Sequence, residues 1–205
     1  EMPDYGLASY WDERYATVTE SYDWYQDYST LKGYLAPYLR DSGAEILIPG
    51  CGSSTLGGDL YAAGYENITN VDISEVVVSQ MTDKYEECSE MEFNAMDARA
   101  MELIPDACFD VIIDKGLFDA LLCAEDRMKS LDKLVGEMFR VLKPGGAYLV
   151  ISHGPPTTRL NHITTRSDFV VEHTSLPRPT HPKMQKKKED DAKKNHFLYA
   201  CRKNV

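Results

Sequence analysis

The residues of this chain whose types and spacing could do chemistry fall in four short stretches: Gly50-Cys51-Gly52, Asp72, Asp97 and Asp114-Lys115. Glycines directly after an apolar run let a ligand approach the backbone closely, and an acid 20 residues beyond Gly52 is spaced to accept hydrogen bonds from a ribose diol. Asp97 adds an acid after the next apolar run. A lone GxG says little, and each acid has a plainer reading as a strand-end cap or turn residue. Together they point to an adenosine-type ligand. A dinucleotide site would continue to a third glycine, where a helix N-terminus holds pyrophosphate. Thr55 stands at that position with no basic residue nearby, so the ligand reads as adenosine without pyrophosphate.

These residues must be positioned by the elements around them. The apolar run Ile46 to Ile48 ends in the glycine turn, and Leu56, Leu60 and Ala63 then recur at helical spacing until Gly64. A second strand, Ile68 to Val71, ends at Asp72, after which Ser74 can cap a helix carrying Val77, Val78, Met81 and Tyr85. A third, Met91 to Ala95, leads to Asp97. Phe109 to Ile113 reads as a strand covered on both faces and runs into Asp114-Lys115-Gly116. The next helix carries Met128, Leu131, Leu134, Met138 and Val141, and Pro144-Gly145-Gly146 turns it into a fifth strand, Ala147 to Ser152. Phe169 to Glu172 and Phe197 to Cys201 then pair as an antiparallel edge hairpin around a mobile basic loop, 177–194. The pattern predicts an α/β fold: a Rossmann-like, doubly wound, seven-stranded sheet, mostly parallel with an antiparallel C-terminal edge. Ligands of such sheets sit beyond the carboxyl ends of the strands where strand order reverses, which is where all four stretches fall.

The 205 residues suit one domain, divided here into an aromatic and acidic N-terminal lid, 1–45, and a ligand-binding domain, 46–205. The net charge of −11 argues against a general nucleic-acid binder. It is unevenly spread: residues 1–45 hold nine acids and three bases, whereas residues 177–205 hold three acids and nine bases. Five scattered cysteines without a CxxC pair fit a reducing compartment, and the five histidines show no metal-ligand spacing and read as surface or loop residues. Cys51 reads as a small packing residue. No apolar run is long enough to cross a bilayer, so no membrane partner is expected. The chain opens at Glu1 rather than Met, which leaves open what precedes it.

The stretches ILIPGCGSS, VDIS, NAMDARA, FDVIIDKGLFDALL and RVLKPGGAYLVIS, in that order, resemble the class I S-adenosylmethionine-dependent methyltransferases. DKGLFDALL, with the N-terminal YWDERY and YDWYQDY, is similar to the elongation factor 1A lysine methyltransferase 4 and methyltransferase-like 13 group. The resemblance covers nearly all of residues 9–152 and returns at 197–203. It implies that Gly50 and Gly52 face the methionine part of S-adenosyl-L-methionine, that Asp72 binds the ribose hydroxyls with Ile73 against the adenine, and that Asp97 with Ala98 reaches the adenine edge. Lys115 lines the same pocket, and Trp11, Tyr15 and Trp24 close it. Two departures stand out. Ile48 occupies the position where many relatives carry an acid for the methionine amino group, and the Asn/Asp-Pro-Pro-Tyr signature of amide and base methylases is absent after the fourth strand.

The implied function is a cytoplasmic, monomeric protein-lysine N-methyltransferase acting on elongation factor 1A, with S-adenosyl-L-homocysteine as product. A small-molecule methyltransferase and a non-catalytic cofactor-binding partner subunit stand as alternatives. Asp114, Lys115 and His153 are the acceptor-pocket candidates. Trp11 and Tyr15, spaced i, i+4, share a helix face in the lid. Asp12, Glu13, Asp23 and Asp27 lie between its aromatics, where they could guide a cationic side chain in or serve the folding of the lid.

Overall fold

The computed structural model describes residues 5–18, 20–164, 169–179 and 195–204. Its strands are β1 (Ile46–Pro49), β2 (Ile68–Asp72), β3 (Met91–Ala95), β4 (Phe109–Lys115), β5 (Leu142–Ser152), β6 (Phe169–Pro177) and β7 (Asn195–Lys203). Its helices are α1 (Ala8–Thr17), α2 (Tyr28–Leu35), α3 (Leu56–Ala62), α4 (Glu75–Lys84), α5 (Leu117–Leu121), α6 (Arg127–Val141) and α7 (Pro156–Ile163). One seven-stranded sheet has the order β3-β2-β1-β4-β5-β7-β6. β1 to β5 pair in parallel, and β7 runs antiparallel between β5 and β6. Strand order reverses at β1, between β2 and β4.

The central strands are apolar at both parities because both faces are covered. Leu47 and Ile112 join α5 and α6 residues such as Phe118, Leu134 and Met138 in one cluster. Ile46, Ile48, Val111 and Ile113 face the opposite cluster, with Leu31 and Leu35 of α2 and Leu56 and Leu60 of α3. The sheet is therefore doubly wound, as the apolar runs predicted.

Some elements and bounds differ from the sequence reading. β5 begins at Leu142, not Ala147: Phe109 pairs with Leu142 and Val111 with Ala147, so Pro144-Gly145-Gly146 bulges within the strand. α7 follows β5 unannounced, started by Pro156 in its first turn, where a missing N–H costs nothing. β6 and β7 each run nine residues, longer than the expected pair, and β6 takes in Pro177. The rest of the expected basic loop, 180–194, lies outside the described residues, as does His181. The N-terminal segment is two pieces. α1 lies on α4, with Tyr15 packed against Val77 and Met81, whereas α2 belongs to the cluster beneath the sheet.

Candidate active site

A cavity of about 330 Å³ opens at the carboxyl ends of β1, β2 and β4, at the strand-order reversal. Its floor is the glycine turn. Gly50 (φ +62°) and Gly52 (φ +51°) adopt the left-handed backbone that favours glycine. A Cβ on Gly52 would stand 2.6 Å from the Tyr15 hydroxyl, and one on Gly50 would stand 2.8 Å from Leu117 Cβ. The turn thus fits tightly between α1 and α5 only because both side chains are missing.

Asp72 closes β2 and is buried beside the turn. Its Oδ2 accepts from the Gly52 N–H at 2.9 Å and its Oδ1 from the Ser74 N–H at 3.0 Å. Burial pushes its carboxyl upward, and those backbone donors counter part of the rise. Ser74 caps α4, as expected, and also donates to Asp12 of α1 at 2.5 Å. Asp97, after β3, is clamped by Arg99: Nε lies 2.9 Å from Oδ1 and a terminal nitrogen 2.9 Å from Oδ2. Burial works to raise Asp97, but the guanidinium outweighs it and holds the carboxyl below the ordinary range. Ile73, Ala98 and Arg99 line the same wall.

The N-terminal segment as far as Tyr25 forms the roof. Trp11 stacks on Tyr15, centroids 5.8 Å apart at 23°, as i, i+4 spacing predicted. Lys115, the last residue of β4, is buried and donates to Asp23 Oδ1 at 2.8 Å and to the Trp24 carbonyl at 3.3 Å. Asp23 also accepts from Ser54 at 2.5 Å and Thr55 at 3.1 Å, tying the roof to the glycine turn. Burial pulls the Lys115 ammonium downward, and the Asp23 carboxylate opposes it.

Of the sequence candidates, Trp11, Tyr15, Trp24, Gly50, Gly52, Asp72, Ile73, Asp97, Ala98, Lys115 and His153 all line the cavity. Asp114 does not. Side chains alternate along a strand, so Lys115 facing the cavity turns Asp114 the other way. Its fully buried carboxylate accepts from the Phe118 N–H at 3.2 Å and Tyr148 Oη at 3.0 Å, and burial pushes it up to about 7. The acid that does reach the cavity mouth is Asp119 on α5, which sequence reasoning missed. A carboxylate inside the apolar stretch LFDALL was the signal, because a buried acid needs partners. His196, expected at the surface, is 7% exposed in β7. Cys51 is buried and its thiol is pushed up by burial, as befits a packing residue.

A doubly wound seven-stranded sheet with a glycine turn after β1, an acid ending β2 and an adenosine-sized cavity above them defines an S-adenosylmethionine-dependent methyltransferase. The chain belongs to the methyltransferase domain family, which matches residues 40–200. It is 33% identical over 190 residues to EEF1A lysine methyltransferase 4 of Mus musculus, a match spanning 85% of this chain and 74% of that one. It is 39% identical over 157 residues to the eEF1A lysine and N-terminal methyltransferase of Homo sapiens, spanning 73% of this chain and 22% of that one. A SAM-dependent methyltransferase from Methanosarcina mazei shares the fold, with a TM-score of 0.65 at 19% identity over 84% of this chain and 97% of that one. The cofactor is S-adenosyl-L-methionine, and the side-chain-free glycine turn beside a buried carboxylate fits it.

Proposed function

We propose that this methyltransferase methylates a lysine side chain of a protein, with elongation factor 1A as the substrate, as a cytoplasmic monomer. The observation that carries the lysine reading is the cavity mouth. Tyr22 and Trp24 meet edge to face at 5.0 Å, Tyr25 lies 6.2 Å beyond, and the ionised Asp119 stands behind them. Aromatic faces backed by a carboxylate attract and orient a cation. The choice of substrate is supported by the relatives named as eEF1A lysine methyltransferases.

In this reading Gly50 and Gly52 lie against the methionine part of the cofactor and Asp72 takes the ribose hydroxyls. Ile73 covers the adenine face, and Asp97 and Ala98 meet its edge. Lys115 flanks the pocket, and Trp11, Tyr15 and Trp24, from the lid of residues 1–45, exclude water. When bound, S-adenosyl-L-methionine supplies a methyl group on a sulfonium whose departure leaves a neutral thioether, so the leaving group needs no acid. The protein's task is alignment, which can supply roughly 7 to 11 kcal/mol, and presentation of an uncharged amine. With a lysine pKa of about 10.4, the neutral amine costs roughly 4 kcal/mol near pH 7.5.

Calorimetry with S-adenosyl-L-methionine and S-adenosyl-L-homocysteine tests the cofactor assignment. D72N is expected to weaken binding about 10- to 100-fold, the value of one or two hydrogen bonds to a charged group, and unchanged affinity would remove Asp72 from the site. Transfer of a labelled methyl group in a cell lysate tests the acceptor. Label in the elongation factor 1A band is the expected result, and label confined to the low-mass fraction would make this a small-molecule methyltransferase.

A further inference from the structure

We propose that His153 takes the proton from the acceptor ammonium before methyl transfer, with Asp119 and Tyr25 holding its ring in position. The inference rests on the lysine reading above. His153 follows β5 at its carboxyl end, lines the cavity mouth and keeps 51% of its side chain exposed. Its Nδ1 lies 2.7 Å from Asp119 Oδ2, and its backbone N–H donates to the same oxygen at 3.0 Å. An ionised carboxylate only accepts, so Nδ1 carries a hydrogen, and in the neutral ring the lone pair then lies on Nε2. Among the described residues no side chain or backbone group bonds to Nε2. This is the tautomer a base needs, fixed by a carboxylate behind the ring.

The carboxylate is built for that task. Asp119 is buried, and burial alone would raise it. Bonds from His153, from Arg159 Nε at 2.9 Å and from Ser152 Oγ at 2.7 Å outweigh burial and hold it well below the usual range. Arg159 reaches it because residue 154 is glycine: a Cβ there would lie 2.2 Å from the guanidinium carbon. Tyr25 donates to Asp119 Oδ2 at 2.9 Å, with its oxygen 3.2 Å from Nδ1. Tyr25 does so from φ +66°, the centre of a γ-turn closed by the Gln26 N–H on the Trp24 carbonyl at 2.8 Å. That turn is rare and strained for a non-glycine residue. Gln26 anchors it through the Pro177 carbonyl at 2.8 Å. A strained turn thus carries a hydroxyl from the N-terminal segment onto the carboxylate that orients His153.

A second imidazole lies beside Tyr25. His196, on the β7 side of Tyr25, is pushed down to about 4 by burial, with Arg178 and His153 adding to the shift, so it stays neutral at working pH. In the step itself an ammonium N–H bond breaks, its electron pair stays on nitrogen, and the proton joins Nε2. The imidazolium charge then faces Asp119, and the exposed edge of the ring passes the proton to water.

H153N keeps a side-chain N–H for Asp119 but has no counterpart of Nε2. With purified elongation factor 1A, kcat at neutral pH is expected to fall by about 10²- to 10⁴-fold, with KM and calorimetric cofactor affinity changed less than about twofold. The deficit should shrink as pH rises toward the acceptor's own pKa, where solvent removes the proton. Independently of turnover, labelled-nitrogen NMR of the cofactor-free protein should show His153 protonated at Nδ1 and bare at Nε2, with D119N releasing that preference. H153N turning over at the wild-type rate, the opposite tautomer, or parallel loss of cofactor binding would each overturn the proposal. Failure of the wild-type enzyme to label elongation factor 1A would instead remove the lysine reading, while the spectrum would still decide the ring's arrangement.

Discussion

Replacing Asp23 by Asn tests whether the roof of the cavity is held by charge. Lys115 and Asp23 are 2.8 Å apart, with side-chain exposures of 4% and 21%. At that separation and an effective dielectric of about 20, their attraction is about 6 kcal/mol before desolvation is subtracted. Removing one partner of a fully buried pair costs about 3–5 kcal/mol, because the other charge stays buried and alone. Asp23 is partly wet, and Asn can still accept from Ser54 or Thr55, so about 2–3 kcal/mol is the reasoned value for D23N. K115M should cost less, about 1–2 kcal/mol, since the charge it leaves, Asp23, is partly wet and keeps its hydroxyl donors. The double variant should then resemble K115M. The chain has two tryptophans, Trp11 and Trp24, both in the roof. Tryptophan emission in a urea titration therefore reports the roof, while far-ultraviolet circular dichroism reports mainly the sheet and its helices. D23N is expected to bring the emission transition to lower urea than the dichroism transition. Coincident transitions, or a D23N cost below about 0.5 kcal/mol, would refute the argument that this pair holds the roof.

Two further outcomes follow from the same cavity. G52A forces a side chain into the left-handed region, at about 1–2 kcal/mol, and drives its Cβ against the Tyr15 hydroxyl. Calorimetry should show cofactor affinity reduced about tenfold or more, with Y15F in the G52A background recovering part of the loss; equal loss with and without the hydroxyl would exclude the contact. Asp114 gives a pH signature. Its folded pKa of about 7 lies above the unfolded value, so between about pH 4 and 7 the unfolded chain releases a proton that the folded one keeps. Its contribution to stability is thus present at low pH and lost as pH rises through 7. D114N should remove that decline, giving a variant that gains on the wild type between pH 5 and 8 in urea unfolding; a constant difference across that range would show Asp114 to be charged in the folded state.

The sheet and its glycine turn were legible because they rest on local pattern. Apolar runs of mixed parity mark strands covered on both faces, and Gly50 and Gly52 follow the first of them. Ser74 before the helical run that holds Val77 and Met81 marks a cap. Asp119 was not legible, because what it does is set by Tyr25 at 94 residues' separation and by Arg159 at 40. Asp114 misled for a related reason. Adjacent to Lys115 in sequence, it points to the opposite face, and only the end of β4 at Lys115, two residues later than the apolar run suggested, fixes which of the two meets the cavity. α7 escaped because Thr157, Thr158, Asn161 and His162 hide the two apolar positions, Leu160 and Ile163, that it packs inward.

The acids of the N-terminal segment change meaning once their partners are known. As a sequence they looked like bait for a cationic substrate or like supports of a lid. Asp12 accepts from Ser74, Asp23 takes Lys115, and Asp27 caps α2 by accepting from the Thr30 N–H at 2.9 Å. Asp12 and Asp23 therefore help to fold the roof and Asp27 starts α2, but only Asp23 is paired with a cation, and a hydrogen bond from a neutral donor leaves a carboxylate's charge in place. The segment also makes a mechanical link. Asp23 and Tyr25, two residues apart, hold Lys115 and Asp119, which are themselves four residues apart across the start of α5. The Asp23 contact lies over the glycine turn, and the Tyr25 contact completes the group around His153. The Asp23 and Tyr25 contacts thus leave one short stretch of backbone, tying the roof to the glycine turn on one side and to Asp119 on the other. Tyr25 makes its contact from a left-handed backbone that glycine would adopt at lower cost, and the bond from its hydroxyl to the buried Asp119 carboxylate, which glycine could not make, accounts for a side chain at that position.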